Sequence, residues 1–136
     1  MTDTFPITIY HNPKCGTSRN ALAMIEAAGY APTVVEYVKA GWTRPQLDTI
    51  LADMGAAPRD IMRAKGTPAE DLGLTDPGAS DEAILAAMVE HPILVNRPIV
   101  VSPKGTKLCR PSEVVLELLD HRPESFTKED GEVVKL

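Results

Sequence analysis

Apolar positions along this chain switch between a two-residue and a helical period, and the switches predict its elements. Residues 7–10 form a β-branched run that predicts a strand. Leu22, Ile25 and Ala28 then recur on one helical face that stops at Gly29. Residues 33–37 predict a second strand, and a strand-helix-strand unit of this length closes as a right-handed parallel crossover. Thr43 and Gln46 are spaced as a capping box ahead of Leu47, Ile50, Leu51 and Met54. Residues 58–65 predict a short helix, and the Pro- and Gly-punctuated stretch 68–78 predicts a loop. Ser80, Asp81 and Glu82 open a helix carrying Ile84, Leu85, Met88 and Val89.

After His91 the pattern returns to strands. Residues 99–101 and 107–109 flank a Ser-Pro-Lys-Gly turn and should pair as an antiparallel hairpin. Pro111 then opens a helix with Val114, Val115, Leu118 and Leu119 as its apolar face. From Glu124 onward a tail is expected, with one turn begun by Thr127. The order βαβ, helices, ββα predicts an α/β fold with a thioredoxin-like mixed sheet. A helical insertion, about residues 43–91, separates its two halves. The reading is one domain over residues 1–136, ending in a tail of about 124–136.

Composition narrows the class. With 136 residues, 43% of them hydrophobic, the chain can bury one core and is too short for two ordinary domains. Two cysteines are too few for a disulfide framework and no charged-then-apolar leader precedes the first strand, so a cytoplasmic setting is expected. No apolar run approaches the length of a membrane span, and a net charge of -5 argues against nucleic acid as a partner. That charge is segregated. Residues 92–112 contain no acidic side chain but include Arg97, Lys104, Lys107 and Arg110, whereas residues 66–90 contain six acidic side chains and no basic one. If the basic segment folds beside a reactive group, an acidic protein presents a local cationic pocket suited to an anionic substrate.

The reactive group is Cys15. It stands where the first strand ends and the first helix begins, and unpaired N–H groups at a helix start stabilise an anion. An ordinary thiol, with a pKa of about 8.5, is only ~3% ionised at pH 7, so a lowered pKa turns a minor species into the main one. His11, Lys14 and Arg19 bring positive or proton-accepting groups to the neighbourhood. Thr17 and Ser18 can cap the helix or donate to sulfur, with Ser18 as the expected cap.

Three arginines stand out. Arg97 and Arg110 each precede a proline, which pushes their backbones into extended conformation, and Arg63 falls in the short helix of the insertion. Arg110 is the odder one, because a cation at the amino end of a helix opposes the dipole unless an anion lies between them. Guanidinium groups present planar pairs of donors matched to oxyanions, so three of them converging would hold a tetrahedral oxyanion. Spacing alone does not bring them together. No Cys/His cluster has metal-ligand spacing, and no metal is expected.

Four stretches together resemble the glutaredoxin-coupled arsenate reductases: His11-Asn-Pro-Lys-Cys-Gly-Thr-Ser-Arg-Asn20, Arg59-Asp-Ile-Met-Arg63, His91-Pro-Ile-Leu-Val-Asn-Arg-Pro-Ile99 and Leu108-Cys-Arg-Pro-Ser112. The resemblance spans about residues 7–131. It implies a nucleophilic Cys15 and an oxyanion-binding set of Arg63, Arg97 and Arg110, with His11 helping to keep the thiol ionised; Ser18, by donating to the sulfur, is read from its position as a second thiolate-activating residue. It further implies arsenate as substrate, glutathione as co-substrate, glutaredoxin as partner and no bound cofactor. Thioredoxin-like proteins typically place a cis proline opposite the active cysteine, so the Arg97-Pro98 bond is expected to be cis, with Arg97 aimed at Cys15.

Two other readings stay open: a glutathione-dependent thiol reductase of another substrate, and a regulator of the related class that binds RNA polymerase. The regulators commonly carry a Cys-x-x-Cys switch, and Ser18 stands at its second position here. An arsenate reductase of the low-molecular-weight phosphatase type needs Arg six residues after its Cys, where this chain has Ala21. Cys109, in an apolar strand, is expected in the core. Trp42, Met54 and Met88 are read as packing residues, His91 as a helix end and His121 as exposed.

Overall fold

The structure, a computed structural model, describes residues 5–120 together with the backbone of 125–127 and 133–135. Two units are distinguished, one formed by the chain up to Glu36 with the chain from Arg97 onward, the other by Tyr37–Asn96.

In the first unit the central strand is β1 (Thr8–His11), flanked by β2 (Thr33–Glu36) and β3 (Ile99–Ser102); β4 (Gly105–Leu108) completes the sheet in the order β2-β1-β3-β4. β1 runs parallel to β2, with His11 opposite Glu36, and antiparallel to β3. β3 and β4 form the expected hairpin, with Ile99 opposite Leu108 and Ser102 opposite Gly105. This mixed four-stranded sheet is the thioredoxin-like arrangement that the element order predicts.

Helix α1 (Gly16–Ala27) connects β1 to β2 and buries Ser18, Ala21, Met24 and Ile25. Leu22, expected on the buried face, is only half-buried, and Ala21 and Met24 take its place against the sheet. The helix ends as predicted: Gly29, at φ 96°, donates its N–H to the carbonyl of Glu26 at 3.0 Å. Ile9, Met24, Ile25, Val100, Val115 and Leu118 are fully buried in this unit's core. Each such aliphatic side chain contributes about 1.5–3 kcal/mol by leaving water.

The segment after Pro111 differs from the predicted α-helix. Ser112–Leu118 is a 3-10 helix, closed by i→i+3 bonds such as Val114 N–H to Pro111 O at 3.0 Å. Three residues per turn align Ser112, Val115 and Leu118, which are all buried, so Val114 is left half-buried and Leu116 is buried instead. Ser102 Oγ donates to Leu118 O at 2.7 Å and Lys104 Nζ to Leu119 O at 3.1 Å, tying this segment to the hairpin.

The second unit is helical: α2 (Tyr37–Ala40), α3 (Arg44–Met54) and α4 (Asp81–Glu90), with 3-10 turns at Pro58–Ile61 and Pro92–Leu94. Tyr37, expected as a strand residue, starts α2 instead, because its ring is buried and its hydroxyl donates to Val95 O at 2.7 Å. The predicted capping box is present. Gln46 N–H donates to Thr43 Oγ1 at 3.3 Å and Thr43 N–H to Gln46 Oε1 at 2.8 Å. Ser80 Oγ accepts from Ala83 N–H at 3.1 Å at the start of α4. Ile84, Leu85 and Met88 are buried as expected, but Val89 is exposed.

The predicted helix over 58–65 stops at Ile61. There the backbone extends and pairs with the segment before Arg97: Asn96 N–H donates to Ile61 O and Arg63 N–H to Leu94 O, each at 2.7 Å. Arg63 therefore follows the 3-10 turn rather than lying within a helix.

The expected tail contains strand instead. β5 (Ser125–Thr127) and β6 (Val133–Lys135) pair antiparallel with Phe126 opposite Val134, residue types that favour extended backbone. His121 and the turn expected after Thr127 lie outside the described residues. No helix among the described residues is long and apolar enough to cross a membrane.

Candidate active site

β1 delivers the chain to His11, and a tight turn then places Cys15 directly before α1. Cys15 N–H donates to Asn12 O at 3.0 Å, Lys14 N–H to Asn12 Oδ1 at 3.0 Å, and Arg19 N–H to Cys15 O at 2.9 Å, the first bond of the helix. Asn12 acts here as an Asx turn, matching its type to the sharp change of direction. Cys15 occupies the cap position with extended backbone, so the sulfur faces the first helical N–H groups.

The electrostatics of Cys15 oppose one another. Burial alone would push the thiol pKa up, but the Ser18 N–H, the Arg110 guanidinium, the charge of Arg97 and the Thr17 N–H outweigh it, and the net shift is downward. Arg110 Nη1 lies 3.7 Å from Cys15 Sγ and also donates to Arg97 O at 2.9 Å. The Arg97-Pro98 bond is cis, as expected, and Arg97 acts on the sulfur through its charge. Arg110-Pro111 is cis as well, which the sequence reading did not anticipate.

His11 and Ser18 form a second set of contacts. Ser18 is not the helix cap but its third residue, and its Oγ is 2.6 Å from His11 Nδ1 while accepting from Asn12 N–H at 3.0 Å. One hydroxyl thus joins the end of β1, the turn and α1. His11 is nearly buried, and burial, aided by Arg19 and opposed by Glu36, lowers its pKa. The neutral ring therefore predominates at pH 7, and its contact is with Ser18.

The other nearby cations have different duties. Arg19 Nη1 donates to Pro13 O at 2.7 Å, bracing the turn, and Lys14 is exposed. Lys107 pairs with Glu117 at 2.7 Å. Arg97 and Arg110 are accordingly the two members of the basic segment that act on the sulfur. Arg63 belongs to the helical unit, where its Nε donates to Lys65 O at 3.0 Å.

An arginine-flanked cysteine between β1 and α1 of a thioredoxin-like sheet is the setting in which the comparison with known proteins becomes decisive. The ArsC family matches residues 10–118. The chain belongs to the ArsC family. An arsenate reductase from Synechocystis sp. is 60% identical over 98% of this chain and 93% of its own length. One from Escherichia coli strain K12 is 53% identical over 94% of this chain and 92% of its own. In structure, the chain is similar to the arsenate reductase from Vibrio cholerae, with a TM-score of 0.81 and 41% identity, covering 86% of this chain and all of that one.

Within this ArsC-family chain the second cysteine is placed apart in character. Cys109 is fully buried in the core and its thiol is pushed up to about 12, first by burial. Three participants escaped the sequence reading: the Asn12 N–H, the Arg97 carbonyl and Glu36. Backbone groups carry no sequence signal. Glu36 does carry one, since it ends β2 beside the last residue of β1, at the carboxyl edge where parallel strands present their sites.

Proposed function

We propose that this protein is an arsenate reductase in which Cys15 is the nucleophile and Arg63, Arg97 and Arg110 bind the oxyanion. The observation that carries this reading is the 3.7 Å approach of Arg110 Nη1 to the Cys15 sulfur at a helix start, in surroundings that lower the thiol pKa. A thiolate meets repulsion from a negatively charged tetrahedral centre, and guanidinium groups beside the sulfur neutralise it while orienting the oxygens. The relatives named arsenate reductase, at 60% and 53% identity, support the same substrate. Arg63 enters the set through the sequence motif.

The cycle runs in four steps. The Cys15 thiolate attacks arsenic and an arsenate oxygen leaves as water after taking up protons, giving a thiol-arsenate adduct still at As(V). Glutathione condenses with the adduct, releasing a second water. A glutaredoxin thiolate then attacks the glutathione sulfur; the As–S electron pair passes to arsenic, which becomes As(III), and glutathione departs as a mixed disulfide on glutaredoxin. Hydrolysis frees arsenite and Cys15. Such a cycle suits a reducing, cytoplasmic compartment.

The test is arsenate-dependent NADPH consumption with glutathione, glutathione reductase and glutaredoxin. Turnover that requires arsenate, glutathione and glutaredoxin together is expected. Turnover of glutathione mixed disulfides without any response to arsenate would assign the protein to thiol reduction of another substrate.

A further inference from the structure

The polar groups of residues 63–67 are tied together through the side chains of Arg63 and Thr67. Arg63 N–H donates to Leu94 O at 2.7 Å, and Arg63 O accepts from Thr67 Oγ1 at 2.7 Å. Arg63 Nε returns to Lys65 O at 3.0 Å. The same Thr67 hydroxyl lies 2.9 Å from Ala64 O and accepts from Ala69 N–H at 3.2 Å, while Thr67 N–H donates to Ala64 O at 3.3 Å. Gly66 turns the chain at φ +75°, and a Cβ there would lie 3.4 Å from Arg63 Nη2. The turn closes around the guanidinium, and the one position with no side chain is the one that faces it.

Nε is the hinge of a guanidinium. A bond at Nε fixes the plane of the fork and presents the terminal nitrogens Nη1 and Nη2 as the bidentate face that oxyanions take. Arginine loses rotamer freedom when immobilised, a cost met during folding if the side chain is held before the ligand arrives. Lys65 O can hold Nε only while the turn keeps that carbonyl pointed inward, and the Thr67 hydroxyl is what spans the turn.

We propose that the turn 63–67 is a cradle that sets the Arg63 guanidinium for oxyanion binding, with Thr67 as its positioning residue. This rests on the reading of Arg63 as an arsenate ligand. Thr67→Val keeps the shape of the side chain and removes the hydroxyl; Thr67→Ser restores the hydroxyl without the methyl group.

The experiment reads two quantities in wild type, Thr67→Val, Thr67→Ser, Arg63→Ala and the Arg63→Ala/Thr67→Val double variant. One is the arsenate concentration that half-protects Cys15 from alkylation, which needs no reductant; the other is the split between KM and kcat in the coupled assay. Thr67→Val should raise both the protecting concentration and KM about three- to tenfold with kcat changed less than about twofold, Thr67→Ser should return to wild type, and Thr67→Val should add nothing once Arg63 is alanine. An unchanged protecting concentration in Thr67→Val, even with a lowered unfolding midpoint, would reduce the turn to a structural element and overturn the proposal. So would an equal loss in the Arg63→Ala background. Arsenate handling unaltered by Arg63→Ala alone would instead overturn the assignment of Arg63, and the cradle with it.

Discussion

Arg110 serves Arg97 and Cys15 with one nitrogen: Nη1 donates to the Arg97 carbonyl at 2.9 Å and stands 3.7 Å from the Cys15 sulfur. A terminal guanidinium nitrogen carries two hydrogens, so both contacts are made without sharing a proton. The anchor is a carbonyl and not a carboxylate, so it fixes the side chain while leaving its positive charge uncompensated by that contact. Arg110 is held in place and still favours the thiolate.

Cys15→Ser is expected to lower arsenate-reducing kcat/KM about a thousandfold or more, since a serine hydroxyl is not ionised at neutral pH. Cys109→Ala should keep most of the activity and cost only about 1–2 kcal/mol of stability, from the space left in the core. Steady-state kinetics beside denaturant unfolding separate the two. Comparable loss of activity in both, at unchanged stability, would contradict a single nucleophile.

The rate of Cys15 alkylation should inflect below the ordinary thiol value of about 8.5. Arg110→Ala should move that inflection upward, because the guanidinium favours the anion. The sign carries over to folding: with the native pKa depressed, the stabilising contribution of Cys15 is complete above the unfolded value and is lost as pH falls through the native one. An inflection in Arg110→Ala identical to wild type would remove Arg110 from the activation of the thiol.

Cys109 should weaken the fold in alkali. Its thiol is pushed up to about 12, so between about 8.5 and 12 the unfolded chain releases a proton that the native one keeps. Stability then falls as pH rises through that window, and Cys109→Ala should flatten the slope. Urea midpoints at a series of pH values, wild type against variant, give the comparison; parallel curves would count against it.

Ser18→Ala should be costly at a fully buried site, by about 1–3 kcal/mol, because Asn12 N–H and His11 Nδ1 both lose their partner. The neutral state of His11 adds an acid limit. Its native pKa is depressed, so below about 6.5 the unfolded chain takes up a proton first and stability drops as pH falls. Unfolding midpoints from pH 5 to 8 should show this drop in wild type, and an unchanged midpoint in Ser18→Ala at pH 7 would show that the hydroxyl joins nothing of consequence.

Much of the architecture was legible because local chemistry and tertiary context agree in it. The Thr43 and Gln46 box, the Ser80 cap, the Gly29 stop and the Ser-Pro-Lys-Gly hairpin are each decided within a few residues, and all appear where the sequence places them. Residues 112–118 read as an α-helix because Val114, Val115, Leu118 and Leu119 satisfy a helical period. The buried trio Ser112, Val115 and Leu118 reveals the tighter one only when the small polar Ser112 is counted as an inward position. Arg63 reads as helical because nothing local announces that Ile61 O and Arg63 N–H are claimed by residues more than thirty positions away. At the site, the residue types that touch sulfur were readable; the serine that braces the loop instead of capping the helix was not, since either role suits a hydroxyl near a helix start.

The Ser18 hydroxyl gives the loop a scaffold made of neutral dipoles, while the formal positive charge that acts on the sulfur comes from Arg97 and Arg110 on another stretch of chain. The loop's bracing hydroxyl and the guanidinium charges thus sit on separate stretches of chain. The guanidinium side can be retuned for a larger, smaller or less charged anion while the thiol keeps its seat. That separation makes this cysteine loop a portable starting point for engineering new anion selectivity.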